Sequence, residues 1–220
     1  MNNLKSLTLA IACAVISLTG CNNGDDDVGP PTVFTTQIES DPGFDGDIEQ
    51  TSPTTFAITQ GMSPTVQSVF AGIDPVAHTE FRAFLDFPLT GAGGVPGNAI
   101  IDSAFLDVYI NSLQPSVGDI PILIDLVSCQ PPTLIDTDFD RGAQPALASV
   151  ALQFFQTDVG TNVSIDVTPL MVAAQNMGLL DFQVRIMQDL GPGIPILLEI
   201  NDTTGVDRGS FAPLLTVNYF

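Results

Sequence analysis

The run Phe81-Arg82-Ala83-Phe84-Leu85-Asp86-Phe87 decides the fold class. Read with a period of two, it puts Phe81, Ala83, Leu85 and Phe87 on one face and Arg82 and Asp86 on the other, the pattern of a strand with one side on a core. Pro88, which has no amide to give to a ladder, ends the run. The same alternation continues outward in both directions. From Ile100 to Ile110, Ala104, Leu106, Val108 and Ile110 point one way, and Phe105, Asp107 and Tyr109 the other. Shorter versions occur at Ile122–Leu126, Val150–Phe154, Val163–Val167, Phe182–Ile186, Ile196–Ile200 and Leu215–Tyr219. Weaker candidates are Val33–Ile38, Thr54–Thr59 and Val66–Phe70. Clusters of Gly, Pro, Asn and Asp separate them. About ten such strands predict an all-β jelly-roll sandwich.

One segment breaks the period. Thr168 is suited to an N-cap, Pro169 to the first helical position, and Gly178 to a left-handed C-terminal cap. Leu170–Met177 between them predicts a crossover helix of about two turns, placed as a lid on one end of the sandwich.

Several strands also carry a likeness. The run 81–87, then Val95-Pro96-Gly97-Asn98-Ala99-Ile100 with Ser103-Ala104-Phe105-Leu106, then Asp166-Val167-Thr168-Pro169-Leu170, Phe182-Gln183-Val184-Arg185-Ile186 and the closing Ala212–Tyr219 follow one another in a specific order. Over roughly residues 60–220 this order resembles the DNRLRE-domain family, bacterial extracellular jelly-roll modules related to some carbohydrate-binding modules. The resemblance implies a jelly roll displayed outside the cell. Two features depart from it: the chain has no tryptophan, and the family's name-giving basic–acidic string is absent. Any sugar platform built on tryptophan in that family is therefore missing here.

The N-terminus gives a location. Lys5 precedes an apolar run, Leu7–Leu18, of about a dozen residues, which is too short for a spanning helix of ~20 residues and right for a signal peptide. Leu18-Thr19-Gly20-Cys21 resembles the lipobox of bacterial lipoproteins, and that string disfavours a plain secretory peptide. The resemblance implies cleavage before Cys21 and three acyl chains on it, enough for stable anchoring. Asn22, rather than Asp, after the cysteine implies sorting to the outer membrane. Residues 22–31, with Asp25-Asp26-Asp27 and Pro30-Pro31, read as a flexible acidic tether. The expected organisation is signal peptide 1–20, tether 21–31 and one sandwich domain 32–220.

Composition narrows the partners. Of five Lys and Arg residues only Lys5 lies in the signal, so the mature chain keeps four arginines against 25 acidic residues, a net charge of −21. Such a surface repels nucleic acid and anionic headgroups. The glycine-rich 91–97 loop precedes a strand and not a helix, which removes a nucleotide-binding reading. Cys13 leaves with the signal and Cys21 takes lipid, so Cys129 stands alone and reads as a small buried hydrophobe. His78 is the only histidine, which excludes zinc sites built on several imidazoles.

Calcium is the ion the sequence favours, as a possible ligand and not a required cofactor. Asp41, Asp45, Asp47 and Glu49 crowd a turn-rich stretch, and Asp136, Asp138 and Asp140 alternate as in the first half of an EF-hand loop. Arg141 then occupies the glycine position, so an EF-hand itself is ruled out. Solvated acidic loops are the plainer reading of both stretches. Arg82 and Arg185, in mid-strand, predict cross-strand pairing with carboxylates. No nucleophile–base set is legible, so the expectation is a non-catalytic, lipid-anchored envelope module with a structural or adhesive role. The alternative is a glycan-binding surface lipoprotein, and after it a carboxylate-based glycoside hydrolase. Partners would be the membrane, through lipid on Cys21, and a polysaccharide or another surface protein. A binding module would turn Phe84, Phe105 or Tyr109 into an open groove; a structural one would cover them.

Overall fold

The computed structural model describes residues 31–63, 67–116, 118–130, 132–189 and 194–220. In chain order the strands are β1 (Phe34–Glu39), β2 (Gly46–Ser52), β3 (Thr55–Gln60), β4 (Ser68–Ile73), β5 (Glu80–Pro88), β6 (Ile101–Gln114), β7 (Asp119–Val127), β8 (Ala148–Phe155), β9 (Asn162–Asp166), β10 (Asp181–Gln188), β11 (Leu197–Asn201) and β12 (Leu214–Tyr219). Helix α1 (Thr168–Asn176) joins β9 to β10, and a single turn, α2 (Arg208–Phe211), precedes β12. The all-β jelly-roll sandwich with one short crossover helix is present, with twelve strands among the described residues instead of about ten.

All pairings are antiparallel. The sheet runs β1-β12-β6-β11-β4-β5-β10-β7-β8, with β2 and β3 added beside β5 and β9 beside β6. The 14-residue β6 joins the two walls: residues 101–107 pair with β12, and its last residues pair with β11. Between the walls lies one core. Leu106, Val108, Leu215 and Val217 meet Leu85, Phe87, Ile124, Phe182 and Val184 there, and all are fully or nearly fully buried. Helix α1 closes one end with Leu170, Met171 and Ala174, and Gly178 takes the left-handed φ of 66° that ends it.

Two expectations are corrected. Asp41–Glu49 is not a turn-rich loop throughout: from Gly46 onward it is β2, with only Ile48 to mark it. Gly46 is required because a Cβ there would meet the Thr59 carbonyl at 2.2 Å. Thr168 is the first helical residue and not the N-cap. Its amide donates to Asp166 Oδ1 (2.9 Å), and its hydroxyl accepts from the Ala104 amide (2.9 Å). The outer face of β5, which carries Arg82, Phe84 and Asp86, is buried as well.

Candidate functional site

That buried outer face is the first unusual feature. β5, β10 and the end of β7 are buried on both sides, inwardly by alkyl groups and outwardly by polar ones. The chain's own 128–147 segment covers the outer side. Leu134 and Phe139 pack with Ile48 and Phe84 into a small second core, and Phe56 lies against it. Arg82 places its guanidinium 4.0 Å from the Phe139 ring centroid, donates to the Phe139 carbonyl and pairs with Glu80 at 2.7 Å.

Arg185 and Asp125 are register partners on β10 and β7. Their side chains, both wholly buried, meet at 2.8 Å. Arg185 also donates to the carbonyls of Asp138 (2.8 Å) and Gln144 (3.1 Å), which fastens the covering segment to the sheet. Asp125 further accepts from Ser149 (2.6 Å) and Arg141 (3.0 Å). Cys129 lies under the same cover, where burial and then Asp138 push its thiol up to about 12, so it stays protonated and inert.

The fourth arginine works alike. Arg208 bonds Asp202 Oδ1 (2.9 Å), the Thr203 carbonyl (3.0 Å) and Ser40 Oγ (3.0 Å), and lies 3.7 Å from Asp45 Oδ2. Burial, then the neighbouring Asp202 charge, raises the Asp45 carboxyl well above its ordinary range.

The predicted calcium ligands take separate structural duties. Asp41 accepts from the Gly43 amide at 2.8 Å, and Asp45 Oδ1 from the Asp86 amide at 2.8 Å. Asp47 Oδ2 accepts from the Phe70 amide at 3.2 Å, and Glu49 is half-buried on β2. Asp138 caps the Ile135 amide, Asp140 the Gly142 amide, and Asp136 is exposed. Among the described residues no group of three or more His, Cys, Asp or Glu side chains is placed to hold a metal ion. Cys21 lies outside the described residues, and among those described no helix is long and apolar enough to cross a membrane.

Of the aromatic residues singled out for a groove, only Phe84 is fully covered, and Phe105 and Tyr109 are half-buried. Phe84 is 4% exposed in the second core, and Tyr109 meets Phe211 edge-on at 4.7 Å. A different cleft, of about 390 Å³, opens beside β4 and is lined by Asp47, Thr59, Ser68, Phe70, Phe81 and Glu199. Phe70 and Phe81 lie tilted with centroids 5.9 Å apart. Glu199, the register partner of Phe70, accepts from Ser68 (2.8 Å), Asn111 (3.3 Å) and Ser112 (2.8 Å). Asp47 is 3% exposed, and burial pushes its carboxyl up to about 7 against the opposing Phe70 hydrogen bond. The cleft therefore offers two half-buried rings and carboxylate and hydroxyl acceptors, with no cation. It suits a polyhydroxylated neutral or amino-bearing ligand and repels an anion. Sequence reasoning missed it because its walls come from five strands, β2, β3, β4, β5 and β11, and β2 carries no strand-like alternation.

No protein-family model matches the chain, and no curated protein is significantly similar to it.

Proposed function

We propose that this chain is a non-catalytic module of the bacterial cell envelope, held at the outer membrane by lipid on Cys21, with a structural or adhesive role. The observation that carries this reading is the filled outer face of β5, β10 and β7. On an open binding sheet, Arg82, Phe84, Asp86 and Arg185 would meet a ligand; here Arg82, Phe84 and Arg185 meet the 128–147 segment, and Asp86 accepts from Gln183. All four arginines of the mature chain are spent on internal carboxylates and carbonyls. The resemblance to DNRLRE-domain modules supports the same placement outside the cell. Intact-mass measurement of the membrane-extracted protein tests the anchor. An acylated N-terminus at Cys21 that is lost in Cys21→Ala is the expected result, and an unmodified cysteine overturns it.

The cleft beside β4 favours a second reading, glycan binding. Paired rings next to fixed oxygen acceptors are what a neutral sugar needs, and Phe70 and Phe81 supply the aromatic surface in a chain without tryptophan. A glycan array with the full chain separates the two: retention that disappears in Phe81→Ala favours binding, and no retention favours the structural role.

A further inference from the structure

The acidic charge is absent from one end of the sandwich. Four segments build that end: 32–37 at the start of β1, the 89–101 loop, 168–180 covering α1 and its exit, and 216–220 closing β12. None of their 37 residues is charged, where the chain's 14% average would give about five. They are tied to one another. Thr36 donates to the Gly93 carbonyl (2.7 Å), and Gln175 donates to the carbonyls of Ala99 (2.5 Å) and Pro96 (3.2 Å). Ile100 and Phe220 exchange two backbone hydrogen bonds, and Phe34 stacks on Tyr219 at 6.0 Å. The same end shows large apolar side chains to solvent: Val33 53%, Phe34 55%, Ile100 61% and Leu180 64% exposed. Asp102, Asp166 and Asp181 are the first charges at its margin, Asp166 accepting from the Thr168 amide at 2.9 Å.

We infer that this charge-free end rests on the lipid surface that anchors the chain. The inference builds on the reading of Cys21 as acylated. Thr32, where the domain begins, is eleven residues from Cys21, so full extension allows at most about 40 Å between them. The chain therefore leaves the domain from the end whose four segments carry no acidic side chain to desolvate, and the leash holds that end at high effective concentration near the bilayer. The domain's 22 acidic residues all lie outside these four segments; the other three, Asp25, Asp26 and Asp27, are in the leash. Exposed Phe, Ile and Leu side chains are what an interfacial contact buries.

The chain has no tryptophan, so single substitutions give clean reporters. The full acylated chain, carrying Phe34→Trp or Ile100→Trp, is reconstituted into phosphatidylcholine vesicles with brominated acyl chains. Val76→Trp is the control: Val76 is 87% exposed in the turn before β5, at the opposite end of that strand from Pro88. The expected result is loss of emission from the Phe34→Trp and Ile100→Trp proteins and none from Val76→Trp. Equal emission from all three, on vesicles that retain the acylated protein, overturns the inference and leaves the anchor standing. An unacylated chain that floats free of the vesicles overturns both. A blue shift of the Phe34→Trp emission that grows with protein concentration and is indifferent to bromination assigns this end to a second copy, and also overturns it.

Discussion

The two faces of β5 and β10 are equally dry but built from opposite chemistries. Inward, Leu85, Phe87, Phe182 and Val184 are buried by alkyl and ring packing, which is non-directional and tolerant of small changes in shape. Outward, Arg82, Asp86, Gln183 and Arg185 are buried by hydrogen bonds and ion pairs that work only when every partner is in place. The inner face supplies stability. The outer face, whose desolvation cost offsets much of its attraction, chiefly fixes where the 128–147 segment lies. A strand can thus be hydrophobic by pattern on one side and equally buried on the other.

Substitutions can pull the two faces apart. Phe182→Ala, in the inner core, is expected to cost about 3–5 kcal/mol in urea unfolding, from lost transfer energy and the cavity left behind. Next comes pH. Asp47 is raised to about 7 in the folded state, above its unfolded value near 3.8. The folded protein therefore holds that proton more tightly, and the stabilisation is full below about pH 4 and lost as the pH rises through 7. Asp86, raised to about 6 by burial, acts in the same direction. Stability at pH 5 should exceed that at pH 8, and Asp47→Asn should remove on the order of 2–3 kcal/mol of the difference. Arg141→Ala should be smallest, about 0–1 kcal/mol, because its side chain is 46% exposed although it reaches the buried Asp125.

The inner face was legible in the sequence because a core-facing strand writes itself as period two, and 81–87, 100–110 and 182–186 all do so. The outer layer was not. Polar residues at alternate positions look the same whether water or another part of the chain covers them, and the cover comes from a segment with no regular pattern. Arg82 and Arg185 gave the one hint, as isolated cations in mid-strand. β2 was hidden for a related reason: Asp47 and Glu49 flank Ile48 and read as acidic loop, yet Gly46 and Asp47 are buried against β3, β4 and β5. The cleft at Asp47, Phe70, Phe81 and Glu199 joins residues more than 150 positions apart, a juxtaposition that only the strand order supplies.

The most direct measurement is a double-mutant cycle on the buried pair at the centre of the outer face, read by urea unfolding of Arg185→Met, Asp125→Leu and the double variant. If the outer face is a closed polar layer, Arg185→Met alone, which leaves the buried Asp125 carboxylate only Ser149 and the half-exposed Arg141, costs about 3–5 kcal/mol, and the double variant regains most of that loss. If both single variants fall within about 0.5 kcal/mol of the parent, the pair is solvated and the layer is open.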